Sequence, residues 1–158
     1  MSKRKIYIAY GSNMMVDQMI YRCPEASLVG TGYINGYELL FKGSLTGSYA
    51  TIEPADGARV PVYIWEITEA DERNLDYYEG FPRFYDKHDI EVYSDADQET
   101  ITGMVYIMTP GARSGIPSKE YFNGIMEVYE ENGWDAQPMW DGLDISIEHM
   151  RAEARREG

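Results

Sequence analysis

The sequence has a single cysteine, Cys23, among 158 residues, so it can form no internal disulfide and no cysteine-based metal cluster. A reducing compartment is the natural setting for such a chain, with the cytoplasm as the default expectation. Its two histidines, His88 and His149, lie far apart and show no metal-ligand spacing. The glycine signatures that cradle nucleotide phosphates, G-x-G-x-x-G and G-x-x-x-x-G-K-[ST], are absent. No apolar run approaches the roughly 20 residues of a membrane span. The stretch "IYIAY" is too short and too polar for a signal-peptide core. Basic residues are few: 14 Lys and Arg stand against 27 Asp and Glu, a formal charge of −13. Nucleic acid and an anionic membrane face are therefore not expected partners, because both require a basic surface. The basic clusters "KRK" and "RAEARRE", near the two ends, read as solubilising tails. An anionic small molecule remains compatible, since local donors can outweigh a diffuse negative surface.

What the chain has instead is a hydrophobic content of 44% and 14 tyrosines, the profile of a globular protein able to bury a core. Its length fits one domain over residues 1–158. Ile6–Tyr10 reads as a buried strand. Met15, Met19 and Cys23 recur at i, i+4 and i+8, a helical stripe over Met14–Cys23 ended by Pro24. Short strands are expected at Leu28–Ile34, Tyr37–Lys42, Tyr49–Glu53 and Val60–Ile67, with turns at "NG" and "PADGAR". "TEADERNLDYYEG" is the clearest helix: Thr68 as N-cap, Asp71 three residues on, and Gly80 just past the end. Two strands joined by "DADQ" follow, then a helix from Ser118 to Asn132 and a terminal helix from about Leu143. Strands with interspersed helices, lacking regular βαβ alternation, predict an α+β fold with a mixed, barrel-like sheet and flanking helices.

Two places could carry chemistry. At Gly11-Ser12-Asn13 a strand passes directly into a helical segment, which leaves backbone N–H groups pointing outward. Such a junction can hold a carboxylate, a phosphate or a polarised carbonyl oxygen. The plainer alternative is that Ser12 or Asn13 merely caps the helix. The second place is Glu79, in the last helical turn before Gly80, where helix electrostatics favour a cation over a carboxylate. Its neighbours Tyr77, Tyr78, Phe81 and Phe84 could desolvate it and raise its pKa, as a general acid–base near neutral pH requires. In a chain with 27 acids, a solvated surface glutamate is the competing reading. Cys23 lies on an apolar helix face and reads as packed, and Ser12 has no partner base.

These motifs, in order, resemble the γ-glutamylcyclotransferase family. The family's strand followed by Y-G-S-N reads here as Tyr10-Gly11-Ser12-Asn13-Met14, and its L-D-x-x-E-G context as Leu75-Asp76-Tyr77-Tyr78-Glu79-Gly80. The strand after it begins at Tyr85, and Tyr106-Ile107-Met108-Thr109 is similar to the family's Y-L-M-T segment. "PSKEYFNG" is similar to its P-S-x-x-Y stretch, with Tyr121 at a pocket position. The resemblance runs from about Ile6 to Gly133. It departs at Pro61-Val62, where the family often has glycine, and "WDAQPMWDGL" has no counterpart.

The resemblance implies that the α-amino group of a γ-glutamyl substrate attacks its own γ-carbonyl, giving 5-oxoproline and a free amine without metal, cofactor or protein nucleophile. Glu79 would be the general acid–base. Gly11, Ser12, Asn13 and Met14 would offer N–H donors to the glutamyl oxygens beside Tyr10. Tyr85, Tyr106 and Tyr121 would line the pocket and orient Glu79. A non-catalytic module binding a carboxylated metabolite or peptide end in the same pocket is the alternative, and an acidic, tyrosine-rich interaction protein is a third reading.

Overall fold

The computed structural model describes residues 4–44 and 47–157; Lys3 of the "KRK" cluster lies outside them. In chain order the strands are β1 (Lys5–Ala9), β2 (Ser27–Ser44), β3 (Gly47–Ile67), β4 (Tyr85–Ser94), β5 (Glu99–Met108) and the short β6 (Arg113–Ser114). The helices are α1 (Val16–Arg22), α2 (Glu69–Glu79), α3 (Lys119–Glu131) and α4 (Gln137–Glu157), with a 3-10 turn at Ser12–Met14. The strands form one sheet in the order β3-β1-β5-β4-β2-β6, and β2 also pairs with β3. That extra pairing closes five strands into a barrel. All neighbours are antiparallel except β1 and β5, which run parallel with Tyr7 opposite Met104. The α+β class with a mixed, barrel-like sheet and flanking helices is what the strand-rich, irregularly alternating order predicts.

The strand boundaries differ from the sequence expectation in one place. The four short strands expected between Leu28 and Ile67 are two long ones, β2 and β3, paired from Ser27↔Glu66 to Ser44↔Gly47. The glycine signals are real: Gly36 and Gly57 have φ of 80° and 81°. They face each other across one ladder, however. Register jumps from Asn35↔Arg59 to Tyr37↔Pro54, so the turn residues of "PADGAR" are extra length on β3. Two turn-like signals in register make a bulge that bends a hairpin. Apart they would have made two reversals.

Helix ends follow the capping chemistry. Thr68 accepts from the Asp71 N–H at 3.2 Å, while the Asp71 carboxylate accepts from the Thr68 N–H, also at 3.2 Å. Gly80 closes α2 in the left-handed region at φ 67°, where a Cβ is strained. Ser118 caps α3 through the Tyr121 N–H at 3.1 Å. The last helix begins at Gln137, six residues earlier than expected. It docks on β2, where Ser146 Oγ accepts from the Phe41 N–H at 2.9 Å. The "RAEARRE" segment is its final two turns or so of helix, with Glu157 paired to Arg113.

Ile8, Ile34, Phe41, Ile52, Ile64 and Trp65 belong to one hydrophobic core, each 1% exposed or less. Cys23 is buried with them, and burial pushes its thiol up to about 12, consistent with packing and inconsistent with a reactive thiolate. The polar opening of the barrel lies at the C-terminal ends of the parallel strands β1 and β5, where the 3-10 turn, the end of α2 and the start of α3 converge.

Candidate active site

A cavity of about 270 Å³ sits at that opening. Eight of the nine residues expected from sequence border it: Tyr10, Gly11, Ser12, Asn13, Glu79, Tyr85, Tyr106 and Tyr121. Met14 does not. Its side chain is fully buried in the core, and its N–H donates to Gly11 O at 3.0 Å, closing the 3-10 turn. An N–H already paired in this way is no donor for a ligand. The N–H groups of Gly11, Ser12 and Asn13 find no acceptor among the described residues. They are the open backbone donors of this turn, and glycine keeps the space beside them clear: a Cβ at Gly11 would lie 3.2 Å from Tyr121 Oη.

Neither Ser12 nor Asn13 caps a helix. The chain leaves the 3-10 turn through Met15, and α1 begins only at Val16, with no side-chain cap. The Asn13 side chain turns inward. Its Nδ2 donates to Tyr7 Oη at 2.8 Å and to Glu79 Oε1 at 3.2 Å, and its Oδ1 accepts from Arg22. Its backbone carbonyl accepts from Trp65 Nε1 at 3.1 Å, which pins the turn to β3.

Glu79 ends α2 with its carboxyl turned toward the cavity. Burial pushes its pKa up to about 7, against the opposing pull of the Arg22 charge and the Asn13 hydrogen bond. Of the four sequence neighbours expected to desolvate it, two do not border the cavity. Tyr77 is 91% exposed and contributes nothing, and Phe81 lies outside the cavity. Tyr78 and Phe84 do border it, and the rest of the wall comes from tyrosines of other elements: Tyr7, Tyr10, Tyr85 and Tyr121.

Those tyrosines are held by the frame. Tyr10 Oη donates to Tyr106 O at 2.6 Å, Tyr85 Oη to Ala50 O at 2.7 Å, and Tyr106 Oη to Asp76 Oδ1 at 2.6 Å. Tyr121 Oη accepts from the Ala50 N–H at 3.0 Å. Burial raises the phenol pKa of all four, so they stay neutral at physiological pH. None bonds to Glu79; that contact belongs to Asn13. Asp76 serves the frame as well, because Lys87 Nζ donates to it at 3.1 Å and to Glu72 at 2.8 Å.

Sequence reasoning missed Tyr7 and Arg22. Tyr7 lies within the run Ile6–Tyr10, read as a buried strand, and a buried tyrosine needs a partner for its hydroxyl, which was a usable signal. Arg22 is a basic residue in the last turn of α1 and carries no other signal in the sequence. Among the described residues no three His, Cys, Asp or Glu side chains converge as a metal site.

Comparison with known proteins meets this geometry directly. The family described as "Gamma-glutamyl cyclotransferase, AIG2-like" matches residues 7–123, which hold every cavity residue named above. The chain belongs to this family. It is 30% identical over 136 residues to the Gamma-glutamylcyclotransferase of Homo sapiens, covering 81% of this chain and 71% of that one. The Mus musculus protein of the same name is 29% identical over the same length. A solved structure of a "Gamma-glutamyl cyclotransferase" superposes with a TM-score of 0.78 at 26% identity, covering 88% of this chain and 86% of that one. Helix α4 lies beyond the residues the family profile matches.

Proposed function

We propose that the protein is a γ-glutamyl cyclotransferase with Glu79 as its general acid–base. The observation that carries this reading is the raised carboxyl of Glu79, about 7, sharing one cavity with the uncommitted N–H groups of Gly11, Ser12 and Asn13. The names borne by the family and by its relatives give the reaction class.

In this reading the glutamyl oxygens sit against the N–H cradle, which polarises the γ-carbonyl. Glu79, as carboxylate, takes a proton from the substrate's α-ammonium. The freed amine attacks the γ-carbon, so the new C–N bond closes a lactam ring while the old C–N bond breaks. Glu79 then returns its proton to the departing amine, and the second proton of the attacking nitrogen passes to that amine as well, so it leaves as an ammonium. The nucleophile is already tethered, so selecting the cyclising conformer supplies several kcal/mol of the rate enhancement. A carboxyl near 7 exchanges protons in both directions at neutral pH, which an ordinary carboxyl does poorly. The cavity walls carry no basic side chain to compete for the proton.

The test is release of 5-oxoproline, read by mass spectrometry, from a panel of γ-glutamyl amino acids and γ-glutamyl amines. Release from at least one compound supports the reading. No release across the panel, with 5-oxoproline still binding the cavity, would favour the non-catalytic module.

A further inference from the structure

We propose that Arg22 is a positioning residue of this site: by fixing the Asn13 amide in one orientation, it aims a hydrogen bond at Glu79 and turns the Tyr7 hydroxyl into a donor facing the cavity. The proposal rests on the reading of Glu79 as the working carboxyl.

The geometry is a matter of donor and acceptor identity. A guanidinium carries five N–H donors and no acceptor. Arg22 reaches from the last turn of α1 and donates to Asn13 Oδ1, so the amide oxygen must face Arg22. The amide nitrogen is then forced to the other side, where its two protons meet Tyr7 Oη and Glu79 Oε1. Without Arg22 the amide could flip, because oxygen and nitrogen ends have nearly the same shape. A flipped amide would set its oxygen against the Glu79 carboxylate, a repulsive contact.

Tyr7 follows from the same chain. Its oxygen accepts from Asn13, and its own proton finds no acceptor among the described residues. It borders the cavity, so that proton is available to whatever occupies it. Tyr10, Tyr85 and Tyr106, by contrast, give their protons to the frame.

Arg22 is itself held in place. Its guanidinium lies 3.6 Å from the Tyr78 ring centroid and donates to Tyr78 Oη at 2.5 Å, Gln18 Oε1 at 2.9 Å and Ser12 Oγ at 3.3 Å. These contacts tie α1, α2 and the cradle turn together across the mouth. A lysine could supply the charge but not this fan of planar contacts. The ionisable groups bordering the cavity with Glu79 are Tyr7 of β1, Tyr10 just past its end, Tyr49 of β3, Tyr78 of α2, Tyr85 of β4, Tyr106 of β5 and Tyr121 of α3. All are phenols, which leaves Arg22 as the charged group that acts on Glu79 among the described residues.

The test is an NMR titration of the intact, substrate-free protein, following the 13C carboxyl of Glu79 and the side-chain amide of Asn13 in native, Arg22→Met and Arg22→Lys forms. In the native protein the Asn13 amide protons should shift with the same midpoint as Glu79. Arg22→Met should raise that midpoint by about one pH unit and uncouple the Asn13 amide from it. Arg22→Lys should keep the midpoint near the native one, yet still uncouple the amide. An Asn13 amide that tracks Glu79 unchanged in both variants overturns the proposal. Full coupling restored by lysine also overturns it, because charge alone would then suffice. Since the titration needs no turnover, it reads the positioning role even if no γ-glutamyl compound is cleaved, and it separates that failure from this one.

Discussion

Two glutamates on α2 have opposite fates. Glu72 and Glu79 stand seven residues apart, about two turns, and so share a face of the helix. Glu72 lies in the first turn, where the helix dipole welcomes a carboxylate. Burial tends to raise it, but hydrogen bonds and charge from Lys87 and Lys5 outweigh burial and hold it below the usual carboxylate range. Glu79 lies in the last turn, where the dipole opposes it, and its cavity raises it to about 7. One residue type on one helix thus yields a carboxyl held low at one end and a carboxyl raised to about 7 at the other. The difference lies in the partners, two lysines against a ring of phenols with a single guanidinium.

Breaking the two ends separately should give unequal effects. Glu79→Gln should cut 5-oxoproline release by about 10²–10⁴-fold, the usual worth of a general acid–base, while Glu72→Gln leaves the rate close to native. Comparable losses in the two variants would show that the ends are not functionally distinct. Gly11→Val should weaken 5-oxoproline binding by about tenfold or more, roughly 1.4 kcal/mol, because the side chain intrudes beside Tyr121 Oη. Isothermal titration calorimetry checks this, and native affinity would remove the N–H cradle from the account.

Stability should respond with opposite sign at the two glutamates. Glu79 binds its proton more tightly folded than unfolded. Its contribution to stability is therefore present below its unfolded pKa and lost as pH rises through about 7. Glu79→Gln should accordingly melt higher than the native protein at pH 8, and the advantage should shrink at pH 5 and vanish below the unfolded pKa near 4.5. Glu72 runs the other way. Its contribution is present above its unfolded pKa and lost as pH falls through its lowered folded pKa, so Glu72→Gln should melt lower than native at pH 8. Differential scanning calorimetry at the two pH values reads both. The smallest effect expected is at the helix start: Thr68→Ala removes half of the capping box and should cost about 1 kcal/mol in chemical denaturation, with turnover unchanged.

Much of this site was legible in the chain. Glu79 stood out because a carboxylate before a C-terminal glycine breaks the helix-end rule, and the structure supplies a reason for the breach. Gly11-Ser12-Asn13 stood out as a strand end running straight into a helical segment. Their use was less legible. Asn13 carries a capping side chain by type, yet it spends that side chain on Tyr7, Glu79 and Arg22, partners up to 66 residues away. Contacts across that separation depend on barrel closure, which no local pattern encodes. The merger of four expected strands into β2 and β3 has the same origin. Gly36 and Gly57 each signal a turn, and only their mutual register turns two signals into one bulge.

The most direct test of the central claim is to set two curves side by side. One is the titration of the Glu79 carboxyl in the resting protein, followed by 13C NMR. The other is the pH dependence of kcat/KM for 5-oxoproline release from the best γ-glutamyl substrate. The account predicts that the acid limb of the rate profile and the Glu79 titration share a midpoint near 7. A Glu79 carboxyl that titrates in the ordinary range near 4.5, beneath a rate profile that still turns near 7, would contradict it.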